Sequence, residues 1–254
     1  RVIAGPQRKS RVMTPREKAL TAYHEMGHAL VARLSPNADS VTKVSIVARG
    51  MMGGYTRLSG SEDHYMYTKS QLKDSIAVAL GGYVAEEMIF GEISTGASND
   101  IERATQIARR MVTEFGMSEK LGPVAFGHKQ GSVFLGRDLV EQRNYSDEVA
   151  GAIDREVQEI VENARKWAAE ALSKHRHKLE TLAHAIVERE TLNADELERL
   201  WGDLPKPQSS ARQAPEFKGE SDQPAQGRGG IRPLPDVAAA SLVSPLPVVL
   251  EEPS

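Results

Sequence analysis

The 254-residue chain has no cysteine. That excludes a disulfide framework, a thiolate nucleophile and any cysteine-ligated metal. Aromatic residues make up 5% of the chain, and 32 Lys and Arg stand against 35 Asp and Glu for a formal net charge of -3. Composition therefore gives no drive toward nucleic acid or an anionic membrane surface. A nucleic-acid partner is not expected: the basic "QRKSR" near the start and "GRGG" near the end are too few positions in a net acidic chain to carry one. No stretch of about 18 apolar residues occurs, and the most apolar part of the tail, "DVAAASLVSPLPVVL", is broken by Pro245 and Pro247. The chain is not expected to span a membrane or to carry a signal peptide. It contains no GxxxxGK[ST] string, and so no P-loop for a nucleotide. It opens on Arg1 rather than Met and reads as part of a longer protein.

Proline is sparse until the end, where nine of the thirteen lie from Pro205 onward, with Phe217 as the one aromatic. Such a segment cannot bury enough apolar surface to offset its ordering entropy, so 205–254 is expected to be a disordered, solvated tail. Before it the pattern is mostly helical. "TPRE" offers Thr14 as N-cap, Pro15 at the first helical position and Glu17 to complete a capping box, which predicts a helix from Pro15 to Leu34. "TKSQ" repeats the device at Thr68 and Gln71 and predicts one helix running to Phe90. A third follows "TGASND" and stops at Gly116, while "VTKVSIV" and "GGYTRL" alternate as strands do. From Ser146 a long amphipathic helix, a shorter one around "HRHKLETLAHAIVERE" and a last turn or two capped by Asn193 are expected to do the packing.

The chemistry concentrates in "HEMGH". His24 and His28 are four apart, so on a helix they lie one turn apart on one face, with imidazoles able to converge on one ion. Two such donors from one rigid turn fix half of a tetrahedral zinc site. Glu25, beside the first histidine, suits a base acting on water next to the ion. The apolar "ALVARL" that follows implies that this face is buried, where an uncompensated carboxylate is costly. A catalytic zinc needs a third protein donor. His64 and His128 lie in loop-like stretches, whereas His175, His177 and His184 read as exposed cationic residues. Glu86 and Glu87 on an apolar helix, and Asp100 in the first turn of the next helix, are the better positions. Spacing alone does not choose among them, since an acid near a helix start commonly serves the helix end. "KVSIVARG" has the pattern of an edge strand, able either to pair with an extended substrate or simply to complete a small sheet.

Taken in order, "HEMGH", "KVSIVARGMMGGYT", "GGYVAEEMIFG", "TGASNDIERAT" and "FGMSEKLGPVAFG" resemble the peptidase domain of the FtsH family of membrane-anchored, ATP-dependent zinc proteases. The resemblance covers residues 1–201 and implies a mainly α fold with a small β-sheet near the active site. It implies a Zn²⁺ cofactor held by His24, His28 and Asp100, with Glu25 catalytic and Glu86 orienting a ligand histidine. Substrate is expected along Val44, Ser45, Ile46 and Val47, with Gly53 and Gly54 beside it. The domain is expected over 1–204, its active-site part over 14–136 and its helical part over 146–201. The resemblance further implies an upstream ATPase module that uses ATP, a transmembrane anchor, a homohexamer on the cytoplasmic side of the cell membrane, and unfolded or membrane protein substrates. The chain departs from the family at Met26, where alanine is common, and at Tyr83, where arginine is usual. Met51 and Met52 lie beside the substrate strand and could alter side-chain preference.

Overall fold

Helix α1 (Pro15–Leu34) starts where its capping chemistry sits: the Thr14 hydroxyl accepts the Glu17 N–H at 3.2 Å, and the Glu17 carboxylate accepts the Thr14 N–H at 2.8 Å. It ends at extended Ser35, just before Pro36. The structure is a computed structural model that describes residues 13–47, 53–59, 66–127, 144–205 and 207. Every residue of α1 from His24 to Arg33 is buried, so this helix is the axis on which the other elements pack.

The single helix expected from Thr68 to Phe90 is two, α2 (Lys69–Ala79) and α3 (Gly81–Phe90), meeting at Leu80 with φ -84° and ψ -4°. The cause is tertiary. A Cβ on Gly27 would lie 2.4 Å from the Gly81 carbonyl oxygen, and one on Gly81 would lie 2.8 Å from the Gly27 oxygen. The two bare backbones let α1 and α3 meet more closely than any side chain allows, and a straight continuation of α2 would not bring Gly81 there. The Leu80 N–H still reaches Ile76 and the Val84 N–H reaches Leu80, so the bend leaves few backbone groups unpaired.

Helix α4 (Ser98–Thr113) is entered through a 3-10 turn at Thr95–Ala97 and is followed by Gly116 at φ +58°, the left-handed region that suits glycine after a helix. Helices α5 (Asp147–Lys174), α6 (Arg176–Arg189) and α7 (Ala194–Trp201) follow. The Asn193–Glu196 capping box starts α7. Arg33 of α1 holds that helix by donating to Glu198 at 2.8 Å and lying over the Trp201 ring. Leu30, Ile76, Met111, Ile153, Leu172, Leu182, Ile186 and Trp201 are essentially solvent-free. Each such apolar side chain contributes about 1.5–3 kcal/mol through burial.

Strands β1 (Val41–Ser45), β2 (Tyr55–Leu58) and β3 (Thr191–Asn193) form an antiparallel sheet in the order β2-β1-β3. The mainly α fold with a small sheet is therefore as expected, but the edge assignment is not. β1 is the middle strand: Val44 pairs with Thr56 on one side and Leu192 on the other, Ser45 with Tyr55 and Thr191. The Ile46 N–H is also taken, by the Glu190 carbonyl at 3.0 Å. The main chain of Val44, Ser45 and Ile46 is thus committed within the protein, and among the described residues the unpaired edge beside α1 belongs to β2. The sequence pattern hides this because β3 is three residues long and arrives from the far end of the fold. His64, His128, Met51, Met52 and the tail beyond Pro207 lie outside the described residues. No described helix is long and apolar enough to cross a membrane.

Candidate metal centre

Three elements bring three donors together. His24 and His28 project from α1 with ring centroids 4.7 Å apart and planes at 84°. Their Nε2 atoms are 3.1 Å apart, and Asp100 Oδ2, from the first turn of α4, lies 3.1 Å from one and 3.3 Å from the other. The second nitrogen of each ring fixes its tautomer. His28 Nδ1 is 2.7 Å from the Val78 carbonyl, which only accepts, so Nδ1 carries the proton and Nε2 presents a lone pair. The 3.3 Å approach of the Gly82 N–H to the same Nδ1 is then a close contact and not a hydrogen bond, because that nitrogen has no free lone pair. His24 Nδ1 likewise donates to Glu86 Oε1 at 2.7 Å.

Two nitrogen lone pairs and a carboxylate oxygen thus face one another in a largely buried spot, an arrangement that repels unless a proton or a cation sits among them. Zinc bonds of about 2.0–2.1 Å at tetrahedral angles place donors about 3.3–3.4 Å apart. The observed triangle has nearly that edge, with one corner of the tetrahedron left to the cleft. The residues present therefore fit the ion. Among the described residues this is the one group of histidines and carboxylates able to hold a metal.

The supports are as specific as the donors. Glu86 is fully buried, accepts the Ser94 N–H at 2.6 Å on Oε2 and the Ser94 hydroxyl at 3.2 Å on Oε1. Ser94 in turn accepts the Gly96 N–H in the turn that launches α4, so one carboxylate ties His24 to the segment that delivers Asp100. Asp100, although in the first turn, makes no cap: α4 has no side-chain capping bond. Glu87 points away and pairs with Arg165 at 3.2 Å. Gly82 lies against the His24 ring, where a Cβ would be 2.5–2.7 Å from its atoms. Met26 is in the core and Tyr83 packs half-buried against it, so neither departure touches the donors.

Glu25 is buried, and the Thr56 hydroxyl of β2 lies 2.7 Å from its Oε2 and 3.1 Å from its carbonyl oxygen. Burial pushes the Glu25 carboxyl up, against the lowering by His28, Thr56 and His24. Burial also opposes charge on His24, but Asp100 and Glu86 outweigh it and raise that imidazole to about 9. Asp100 is held well below the usual carboxylate range, because the two histidines overcome its burial. Glu86 is likewise lowered, its burial outweighed by His24 and Ser94.

A consequence can be measured. Without metal, His24 is protonated on both nitrogens at neutral pH and its Nε2–H occupies the triangle. Metal uptake at pH 7 is therefore expected to release close to one proton per ion, a release that fades as pH passes about 9. Calorimetry of zinc binding in buffers of different ionisation enthalpy checks this. The metal-free fold gains stability from the raised His24 below its ordinary value near 6.5 and loses it as pH rises through about 9.

The donors open into a cleft of about 950 Å³, lined also by Gly53, Gly54 and Thr56 on the β2 side and by Leu72, Val78 and Ile107 on the helical side. Gly53 and Gly54 thus lie at the site with Glu25, while Val44, Ser45 and Ile46 support it from the sheet interior and Val47 is exposed. Thr56, Ser94, Gly82 and the Val78 carbonyl are the site groups that the sequence reading did not single out. Thr56, Ser94 and Gly82 sit inside or beside the quoted motifs "GGYT", "STGASND" and "GGYVAEE"; the Val78 carbonyl leaves no mark in a sequence.

Residues 11–200 match the family described as Peptidase family M41. The chain is 62% identical over 207 residues to the ATP-dependent zinc metalloprotease FtsH 1 of Sphaerobacter thermophilus, an overlap of 82% of this chain and 32% of that protein. It is 60% identical over 207 residues to the protein of the same name from Thermomicrobium roseum, with the same coverage. Against the ATP-dependent zinc metalloprotease FtsH of Bacillus subtilis it is 52% identical over 209 residues, covering 81% of this chain and 33% of the relative. The chain spans about a third of the length of the curated relatives it matches.

Proposed function

The chain belongs to peptidase family M41, and from that premise we propose that it is the zinc-dependent endopeptidase domain of a membrane-anchored, ATP-dependent protease. The observation that carries this is the donor triangle with edges of 3.1–3.3 Å beside a buried carboxylate. His24, His28 and Asp100 hold zinc, which when bound supplies a Lewis acid that acidifies water and polarises the scissile carbonyl.

The chain's own residues do the rest. Glu86 keeps His24 in the tautomer whose Nε2 faces the ion, and the Val78 carbonyl does the same for His28. Glu25 takes a proton from the attacking water and delivers it to the leaving amine nitrogen. An extended substrate pairs main chain to main chain with the free edge of β2, past Gly53 and Gly54, which replaces β1 in that role. Backbone pairing is tolerant of sequence, so the choice of unfolded or membrane proteins falls to the upstream ATPase module, where ATP is used. The same reading makes the whole protein a homohexamer anchored in the cell membrane with this domain, 1–204, on the cytoplasmic side and 205–254 as a tail.

Metal removal tests the reading. The chain is expected to bind one zinc, to lose hydrolysis of an unfolded casein-type substrate on chelation and to regain it on reloading. Asp100→Ala should lower zinc affinity by about 100-fold or more, since it removes one of three donors. Zinc uptake unchanged by Asp100→Ala, or hydrolysis that survives complete chelation, would overturn it.

A further inference from the structure

We infer that Thr56 is the positioning residue for the base: its hydroxyl, carried on the free edge strand, fixes the Glu25 carboxylate for proton transfer. The inference rests on the peptidase reading and adds a residue to it.

Three observations carry it. Thr56 Oγ1 is 2.7 Å from Glu25 Oε2 and 3.1 Å from the Glu25 carbonyl oxygen, so one hydroxyl hydrogen serves both the side chain and main chain of the base. Among the described residues no other group donates to that carboxylate. On the other side, a Cβ at Gly54 would lie 2.9 Å from Glu25 Oε1, so bare backbone borders the second oxygen where it meets the cleft. One oxygen is engaged and the other is left for the reacting proton.

The position is also chemically unusual. Thr56 pairs with Val44, which is solvent-free, and its inward neighbour two residues on, Leu58, packs against the core. This is the apolar face of the strand, where valine would have the same shape and a better transfer energy. A hydroxyl there has one buried acceptor group to serve, and that group is Glu25. Because β2 is also the edge onto which substrate adds, the strand that receives the peptide and the group that aims the base are one rigid unit. A peptide seated out of register on β2 would meet a base aimed elsewhere, which makes correct pairing part of catalysis.

The zinc-loaded chain tests this with two peptide probes of one sequence. The first is a phosphonamidate, which mimics the tetrahedral transition state, and the second a reduced amide, which mimics only the extended ground state. Thr56→Val is expected to weaken phosphonamidate binding by about 10- to 100-fold and to lower kcat on a fluorogenic peptide by a similar factor. Reduced-amide affinity, KM and zinc content should stay as they are. Thr56→Ser, which keeps the hydroxyl, should restore most of the phosphonamidate affinity. If valine destabilises the sheet, Thr56→Ala against Thr56→Ser repeats the comparison with the hydroxyl as the one difference. Equal loss for both probes, equal loss in the serine and valine variants, or no loss at all would overturn the inference. Glu25→Gln separates it from its premise. If that variant keeps wild-type phosphonamidate affinity, the peptidase reading fails; if it loses affinity and Thr56→Val does not, only the role of Thr56 falls.

Discussion

Glu25→Gln is expected to lower peptide hydrolysis by about 10²- to 10⁴-fold, the usual worth of a general base, while zinc content stays at the wild-type level and the metal-free protein melts higher. Glutamine has the same shape, and its carbonyl oxygen can still accept the Thr56 hydroxyl, so the site keeps its form. It cannot take a proton from water. The rise in stability follows from the direction of the Glu25 shift. Burial raises the folded-state value above the unfolded one, so the contribution of this group to stability is fully present at acid pH and is lost as pH rises through the folded value. In the metal-free protein at neutral pH the carboxylate is therefore a net cost, and the amide removes it. An inactive variant that takes up zinc as the wild type does and melts higher without it is the signature of a group retained for chemistry at the expense of stability. The alternative is a catalytically idle, metal-stabilised helical module that serves ring assembly. It predicts equal residual cleavage in the two proteins, because a scaffold has no use for a buried carboxylate at this position.

What could be read in advance follows the range of the interaction. Capping boxes at Thr14, Thr68 and Asn193 involve residues three apart, so the sequence marks those helix starts directly. His24 and His28 are one helical turn apart, and their convergence is equally local. Asp100 is different: nothing nearby separates a metal donor from an ordinary acid in a first turn, and only the distant histidines make it a candidate donor. The break at Leu80 has only a weak local mark, the Gly81–Gly82 pair that follows it, since α3 runs as helix through both glycines. It exists because Gly81 meets Gly27 across the core. The position of β1 in the sheet fails for the same reason, being decided by a three-residue strand from the opposite end of the fold. Thr56 alternates correctly as a strand residue, but its acceptor lies on α1, so pattern could place the residue and not its role.

Gly82→Ala is expected to strip the metal site while leaving the helices intact, with zinc affinity reduced by about 100-fold or more. The added Cβ would sit 2.5 Å from His24 Cε1, 2.6 Å from Nδ1 and 2.7 Å from Nε2, inside the distance that carbon contacts tolerate. Something must move, and the surroundings decide what. Helix α3 cannot retreat without parting Gly81 from Gly27 and opening the core where Ala85 faces the same glycine, which would forfeit close packing. The ring is the softer partner, although Glu86 grips its Nδ1 at 2.7 Å. Its displacement drags Nε2 off the donor triangle, and a shift of about 1 Å is half the length of a zinc–nitrogen bond. Alanine is the better helix former, so a loss of far-UV helicity is not the expected readout. The measurement is competition for zinc against a chromophoric chelator, alongside a melting curve of the metal-free protein. Gly151→Ala on α5 is the matched control, because a Cβ there meets only the end of the Arg155 side chain at 3.4 Å. It should hold zinc as the wild type does and gain about 0.5–1 kcal/mol of stability. If Gly82→Ala held zinc equally well, the His24 ring would not be fixed by the bare backbone beneath it.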